Sequence, residues 1–164
     1  MDVSIRPATL TDVPAILEIV NHAIVNSTAI YDEAARTLAQ QLDWFQQKQL
    51  SGDPVLVAEF DGNVLGFATF GIFKPKVGYR YSVEHSVYVA SEMTGKGIGR
   101  QLLTELIDIA RKRNIHTMAG YIDSDNAGSI AFHEQFGFEK VGELKEIGFK
   151  FGRYLNVTLM QRFL

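Results

Sequence analysis

The sequence predicts one mixed α/β domain, a mostly antiparallel sheet with flanking helices. Three observations carry this. Hydrophobic spacing switches along the chain between period 2 and period 3.6. The element order reads β-α-α-β-β-β-α-β-α-β-β, with no repeat, low-complexity tract or linker to divide it. The 164 residues suit one compact domain with a substantial core.

Val3 and Ile5 alternate with polar neighbours, giving a short strand over 2–6 that Pro7 ends. Thr11-Asp12-Val13-Pro14 reads as a helix start with a hydroxyl N-cap and an early proline. Val13, Ile16, Leu17, Val20 and Ile24 follow at helical spacing, and 26–36 is polar and irregular. A second helix runs from Leu38 to about Leu50, capped by Thr37 and stopped by Ser51-Gly52. Strands over 55–60 and 64–73 flank the turn Asp61-Gly62-Asn63 as an antiparallel hairpin. After a loop over 74–78, a long strand covers 80–90. Ile98, Leu102, Leu103, Leu106, Ile107 and Ala110 define an amphipathic helix ending in Arg111-Lys112-Arg113, cations that suit the negative end of its dipole. A strand over 116–122 follows. Ser124-Asp125-Asn126 caps a short helix through Gln135, and Gly137 terminates it. Strands over 138–144 and 154–163 close the chain, with a turn near Phe151-Gly152.

Bulk properties narrow the function classes. Net charge is −3 and no segment is strongly basic, so nothing points to nucleic acid. The absence of cysteine excludes a disulfide scaffold, a thiolate nucleophile and a cysteine-ligated metal. The four histidines lack metal-ligand spacing, so no metal site is expected. Met1 to Arg6 lacks the pattern of a secretory signal, and no apolar run approaches the ~18–20 residues of a membrane span. The expectation is a soluble, cytoplasmic protein without a membrane partner.

Gly95-Lys96-Gly97-Ile98-Gly99-Arg100 lies between the strand over 80–90 and the amphipathic helix. A helix N-terminus offers unpaired N–H donors and positive dipole character. Glycines let the backbone approach phosphate oxygens, and Lys96 and Arg100 add positive charge. The run reads as a pyrophosphate cradle; the alternative is a flexible turn. It is not a P-loop, because Gly97 rather than Ser or Thr follows Lys96. It is not the dinucleotide fingerprint, because Arg100 stands at the third glycine position.

Ser86-Val87-Tyr88-Val89, followed by Thr94 to Leu103, resembles the acetyl-CoA motif of the GNAT superfamily of N-acetyltransferases. Phe132-His133-Glu134-Gln135-Phe136-Gly137-Phe138 is similar to that family's next conserved segment. Gly97 and Gly99 match the family pattern, whereas Thr94 stands where Gln or Arg is usual. The resemblance covers nearly the whole chain. It implies a GNAT-like fold with a splayed parallel strand pair, and acetyl-CoA as co-substrate. In that reading Val87, Tyr88 and Val89 meet the pantetheine arm, residues 95–100 the pyrophosphate, and Asn126 the arm from the other side. Asn126 has a second reading as a plain helix cap.

Acetyl transfer to an amine requires deprotonation of the ammonium, stabilisation of an oxyanion and protonation of the leaving thiolate. Glu84 is the candidate base. Alternation places it with Ser82, Ser86 and Tyr88, opposite Val83, Val87 and Val89. A mid-strand carboxylate among apolar residues is paired or used; a buried ion pair is the alternative. His133 stands where the resemblance implies Tyr, the residue that protonates the thiolate, and a histidine can do the same. A helix-surface role is the alternative. His85 points to the face opposite Glu84 and reads as structural, with supporting contact to the site.

Gly78 to Val89, and Lys150-Phe151-Gly152-Arg153-Tyr154, resemble the subgroup that acetylates the α-amine of phosphinothricin, methionine sulfoximine and methionine sulfone. Leu155-Asn156 departs from the phosphinothricin branch and favours the sulfoximine/sulfone branch. Arg80 then suits the substrate carboxylate, and Gly78, Tyr79 and Tyr31 wall the side-chain pocket. Arg80 as a solvated charge and Tyr31 as a loop anchor are the alternatives. The resemblance also implies a homodimer whose substrate pocket lies near the interface, with residues around Tyr31 serving the partner's site. Two rival functions stand beside this one: a protein N-terminal or lysine acetyltransferase, and a non-catalytic CoA-binding sensor.

Overall fold

A computed structural model describes residues 2–164; Met1 lies outside the described residues. The strands are β1 (Ser4–Pro7), β2 (Val55–Phe60), β3 (Asn63–Ile72), β4 (Ser82–Val89), β5 (Thr117–Asp123), β6 (Glu139–Lys150) and β7 (Arg153–Phe163). The helices are α1 (Val13–Asn26), α2 (Leu38–Ser51), α3 (Ile98–Lys112) and α4 (Ala127–Glu134). The strands form one sheet in the order β1-β2-β3-β4-β5-β7-β6. Among the described residues, only β4 and β5 pair in parallel.

Strand alternation divides the core between the two faces of this sheet. Leu56, Ala68, Phe70, Val83 and Met118 pack under α3, whose Leu102, Leu103, Leu106, Ile107 and Ala110 form its buried stripe. Val55, Val57 and Phe67 face the other way, against Val13, Ile16, Val20 and Ile24 of α1 and Phe45 of α2. On β4, Val87 and Val89 pack with the α3 side, and Tyr88 with the α1–α2 side.

Local signals set several boundaries. Thr37 and Gln40 cap α2 reciprocally: the Gln40 N–H donates to Thr37 Oγ1 at 3.2 Å, and the Thr37 N–H to Gln40 Oε1 at 2.9 Å. The start of α1 differs from the sequence expectation. Residues 10–12 form a 3₁₀ turn capped at Thr9, and Asp12, not Thr11, is the N-cap of α1. The Asp12 carboxylate is drawn to the Thr9 N–H at 2.7 Å and to Arg6.

Two strands also depart from expectation. β4 begins at Ser82 rather than 80, because Val77–Tyr79 coil into a 3₁₀ turn and the Arg80 N–H closes on Val77 O at 3.2 Å. β6 continues to Lys150 instead of stopping at 144. Its register on β7 shifts between Lys140 and Gly142 and between Leu144 and Gly148, with Glu146 at φ 53. Most of β6 is solvent-exposed at the sheet edge, so no buried face imposed a period-2 pattern there.

Arg6 ties β1 to β2 and to the start of α1. Its guanidinium donates to Asp12 at 2.7 and 2.9 Å and to Glu59 at 2.6 Å. The Arg6 hydrogen bond, opposed by burial and helped by Thr9, holds the Asp12 carboxyl down at about 2, from an ordinary 3.8. A depressed carboxyl stabilises the fold above its unfolded pKa, and that stability is lost as pH falls through the folded value. Asp12→Asn should therefore cost about 2 kcal/mol at pH 7 and flatten the decline of stability between pH ~5 and ~2. Urea unfolding at stepped pH measures this; a wild-type acid slope in Asp12→Asn contradicts it.

Candidate active site at the fork of the sheet

β4 and β5 pair through Ser82↔Thr117, Val83↔Met118 and Glu84↔Ala119, and there the ladder stops. β4 stays on β3 as far as Gly66↔Val89, and β5 stays on β7 as far as Asp123↔Val157. Residues 85–89 and 120–123 therefore face each other across a gap with unpaired inner edges. Their backbone groups are free to bind an extended polar ligand. His85 stands at the fork. Its Nδ1 lies 2.9 Å from Ala119 O, and a Cβ at Gly120 would come 2.9 Å from His85 Cε1. Glycine at 120 is what makes room for the ring.

Two cavities open into this gap and share Ala29, His85, Ser86, Tyr88, Tyr121, Ile122 and Asp123 as walls. One extends toward α4 and adds Val87, Gly120, Asn126, Ser129 and His133. The other extends under residues 28–31 and adds Thr28, Tyr31, Glu84, Leu144, Ile147 and Val157. The fork thus joins two chambers of different chemistry.

The glycine loop lies where β4 feeds α3. Gly95 and Gly97 have φ of 80 and 82, the left-handed region that favours glycine, and nothing stands within 4 Å of a Cβ at either. Gly97 is the N-cap of α3, so the first-turn N–H groups of the helix point into open space. Arg100 does not aim into that space: it donates to Gln135 Oε1 at 2.8 Å and lies over the Phe136 ring. It ties the start of α3 to the end of α4. Lys96 Nζ lies 3.5 Å from Met93 Sδ. Val89 packs beside Gly99. An anion with closely spaced oxygens fits this open, donor-rich concavity.

Glu84 is half-buried and, among the described residues, takes part in no salt bridge. Burial pushes its carboxyl above the ordinary 4.5, against a smaller opposing pull from the Lys48 charge. Such a group accepts a proton more readily than a solvated carboxylate.

His133 is buried rather than on the helix surface. Its Nδ1 lies 2.7 Å from Ser129 O, and its Nε2 lies 2.9 Å from His85 Nε2. Phe132 and Phe138 enclose the pair. Burial lowers the pKa of both rings, and the second ring adds to this at His85. Asn126 caps α4, accepting from the Ser129 N–H at 3.1 Å, and also lines the α4-side cavity.

Tyr31 lines the second of these cavities within its own chain. Its hydroxyl lies 3.4 Å from Asp123 Oδ2 and from Asn156 O, and its ring covers Gly148. Gly78, Tyr79 and Arg80 do not join it. Tyr79 lines a neighbouring hollow with Phe73 and Tyr121. Arg80 donates to Val77 O at 3.1 Å and stacks on Tyr81. The 3₁₀ turn that delays β4 is what holds these three residues outside. Among the described residues, no group of three or more His, Asp or Glu is placed to hold a metal ion, and no helix is long and apolar enough to cross a membrane.

Two contributors, Ser129 and Asp123, have no local signature in the sequence, and Lys150, which enters the sequence only as part of the 150–154 motif, has a role that the motif does not reveal. Lys150 has no exposed surface, and its Nζ donates to the carbonyls of Ile24, Ser27 and Ile30 at 2.5, 2.8 and 2.6 Å. It fixes the end of α1 and the segment that carries Ala29 and Tyr31. Gly148 and Lys150 point inward while apolar Ile147 and Phe149 point out, so the hydrophobic pattern of this stretch gives no sign of the buried lysine. Lys150→Met strands three buried carbonyls and should cost roughly 3 kcal/mol or more. It should also raise KM for the acceptor more than for the other substrate. Urea unfolding and steady-state kinetics check both, and unchanged stability contradicts the role.

Residues 18–138 match the acetyltransferase (GNAT) family. An L-methionine sulfoximine/L-methionine sulfone acetyltransferase of Pseudomonas paraeruginosa is 46% identical over 98% of this chain and 94% of its own length. A solved ribosomal-protein-alanine N-acetyltransferase from Brucella melitensis superposes with a TM-score of 0.96 at 48% identity, over 98% of this chain and 99% of that one. A solved phosphinothricin acetyltransferase from Sinorhizobium meliloti, in complex with acetyl-CoA, superposes with a TM-score of 0.95 at 36% identity, over 100% of this chain and 89% of that one. With the forked sheet and the glycine loop in place, the chain belongs to the GNAT family of N-acetyltransferases.

Proposed function

We propose that this chain, as a single domain, transfers acetyl from acetyl-CoA to the α-amine of a small L-amino acid of the methionine sulfoximine, methionine sulfone or phosphinothricin type. The observation that carries the reading is Glu84: an unpaired, half-buried carboxylate facing a cavity at the fork, beside a second chamber that leads toward α4. The relatives that act on such amino acids align over nearly the full chain.

Acetyl-CoA supplies the activated acetyl group. The backbone from Gly95 to Arg100 receives its pyrophosphate, the free edge of Val87, Tyr88 and Val89 pairs with its arm, and Asn126 closes on the arm from α4. Glu84 takes the ammonium proton, and the neutral amine attacks directly. A backbone N–H on the 87–89 edge meets the oxyanion. His133 is the acid on the thiol side. Tyr31, with the apolar surfaces of Leu144, Ile147 and Val157, walls the acceptor side chain.

The enzyme works as a homodimer in this reading. Leu144, Ile147, Phe149, Phe151 and Tyr154 form an exposed apolar surface on the β6–β7 hairpin beside the acceptor cavity. Gly78, Tyr79 and Arg80, which stand outside the cavity of their own protomer, reach the acceptor of the partner. Arg80→Ala should then raise KM for free amino acids; an unchanged KM removes Arg80.

A thiol-release assay with acetyl-CoA, run across methionine sulfone, methionine sulfoximine, phosphinothricin and a peptide beginning with alanine, tests the whole reading. Turnover is expected with the first two above the others. Preference for the peptide, the activity in the name of the Brucella relative, favours a protein acetyltransferase. No thiol release from any of them leaves a CoA-binding sensor. Glu84→Gln should lower kcat by about 100-fold or more, with KM for acetyl-CoA within about twofold. Because burial raises its pKa, the base form of Glu84 is lost at a higher pH than for a solvated carboxylate. The acid limb of the wild-type pH profile should lie above the ordinary 4.5 and vanish in Glu84→Gln.

A further inference from the structure

Two neutral rings do not satisfy the contacts made by His85 and His133. Each Nδ1 lies against a backbone carbonyl, Ala119 O at 2.9 Å and Ser129 O at 2.7 Å. A carbonyl only accepts, so each Nδ1 must carry a proton. That leaves two bare Nε2 lone pairs facing each other at 2.9 Å. Turning either ring to its other tautomer moves the clash to a carbonyl, and at His133 the only donor to a bare Nδ1 among the described residues is the Ser129 hydroxyl at 3.5 Å, farther than the Ser129 carbonyl at 2.7 Å. A third proton, between the Nε2 atoms, converts the repulsion into a charge-assisted N–H···N hydrogen bond, and that bond must outweigh the burial that disfavours charge on either ring.

We propose that His85 and His133 form one proton-holding unit, with a single proton shared between their Nε2 atoms, and that His85 is thereby a positioning residue that sets the donor strength of His133. The use of this proton rests on the acetyl transfer proposed above; the sharing itself does not. The unit holds one extra proton and no more. Phe132 and Phe138 surround the rings with apolar surface, and a second cation 2.9 Å away is excluded. The titratable groups that share the cavity of the pair are Tyr88 from β4 and Tyr121 and Asp123 from β5, while Glu84 lines only the adjoining chamber. On α4, Ser129 faces the pair and Glu134 is exposed.

The step balances. In acetyl transfer a C–N bond forms and a C–S bond breaks, its electrons staying on sulfur. The unit gives that sulfur one proton, falling from three protons to two and from a positive charge to none, and solvent restores the third. The two protons lost by the ammonium nitrogen leave on the Glu84 side. One proton is released overall.

Imidazole ¹⁵N NMR of the histidine-labelled free protein between pH 5 and 9 reads the pair without any substrate. Both rings should keep Nδ1–H, and both Nε2 signals should move together in one step. In His85→Gln the amide donates to His133 Nε2 and nothing shares a proton, so His133 should stay neutral to about one pH unit lower. The alkaline limb of kcat should move down with it, kcat should fall about tenfold, and KM for acetyl-CoA should stay within about twofold. Gly120→Ala, which keeps both histidines but displaces the His85 ring, should uncouple the titrations in the same direction and serves if His85→Gln does not fold. Independent titration of the two rings in the wild type, or an unmoved His133 in both variants, overturns the shared proton. An unmoved kcat profile beside a coupled titration overturns the role in turnover. Coupled titration in a protein that releases no thiol from acetyl-CoA upholds the pair and removes the acetyl-transfer reading instead.

Discussion

The parallel ladder between β4 and β5 ends after three residue pairs, with the His85 ring in the fork against Ala119 O. Most of the site depends on that ending. A complete ladder would consume the inner-edge N–H and C=O groups of residues 85–89 and 120–123, and the two chambers would not meet. Each strand keeps its outer neighbour to the end, so the gap opens without loosening the sheet. The glycine at 120 admits the ring, and the loop after β4 delivers the free N–H groups of α3 to the same end of the gap.

Strand alternation then sorts the chemistry. Glu84 and His85 are sequence neighbours, yet their side chains point to opposite faces of β4, so Glu84 lines only the acceptor chamber while His85 reaches His133 of the other. Burial raises the carboxyl and lowers the imidazoles, so each is moved away from its charged form. A carboxyl moved in this way exchanges its proton nearer neutrality than a solvated one. In the proposed reaction one face removes protons from the amine and the other returns one to sulfur. The separation keeps the acid and the base from neutralising each other.

Much of the fold was legible because its signals are local. Thr37, Gln40 and Gly52 bound α2 within one turn at each end, and the stripe from Ile98 to Ala110 named the buried face of α3. The family motifs, glycine loop included, were contiguous and pointed to the GNAT fold. The errors arose where boundaries depend on weak or distant forces. The β4 start shifted because residues 77–80 satisfy their own hydrogen bonds as a turn, and Arg80 left the strand with them. The second half of β6 carries bulges on an exposed edge, where alternation has nothing to report. The His85–His133 contact joins residues 48 apart, and Lys150 meets carbonyls 120 to 126 residues away. Single-residue signals cannot announce such pairings. Alternation did place His85 opposite Glu84, but not the ring it would meet.

In the proposed reaction, donor and acceptor meet at the fork from opposite sides. A crystal structure of the protein with CoA and methionine sulfone tests it directly. The sulfur should lie in the gap between the Val87–Val89 edge and the Ile122–Asn126 segment, on the His133 side. The amine should lie in the Glu84 chamber, within direct or one-water reach of the carboxylate. An amine bound on the α4 side, or a sulfur lodged away from the gap, would contradict the account.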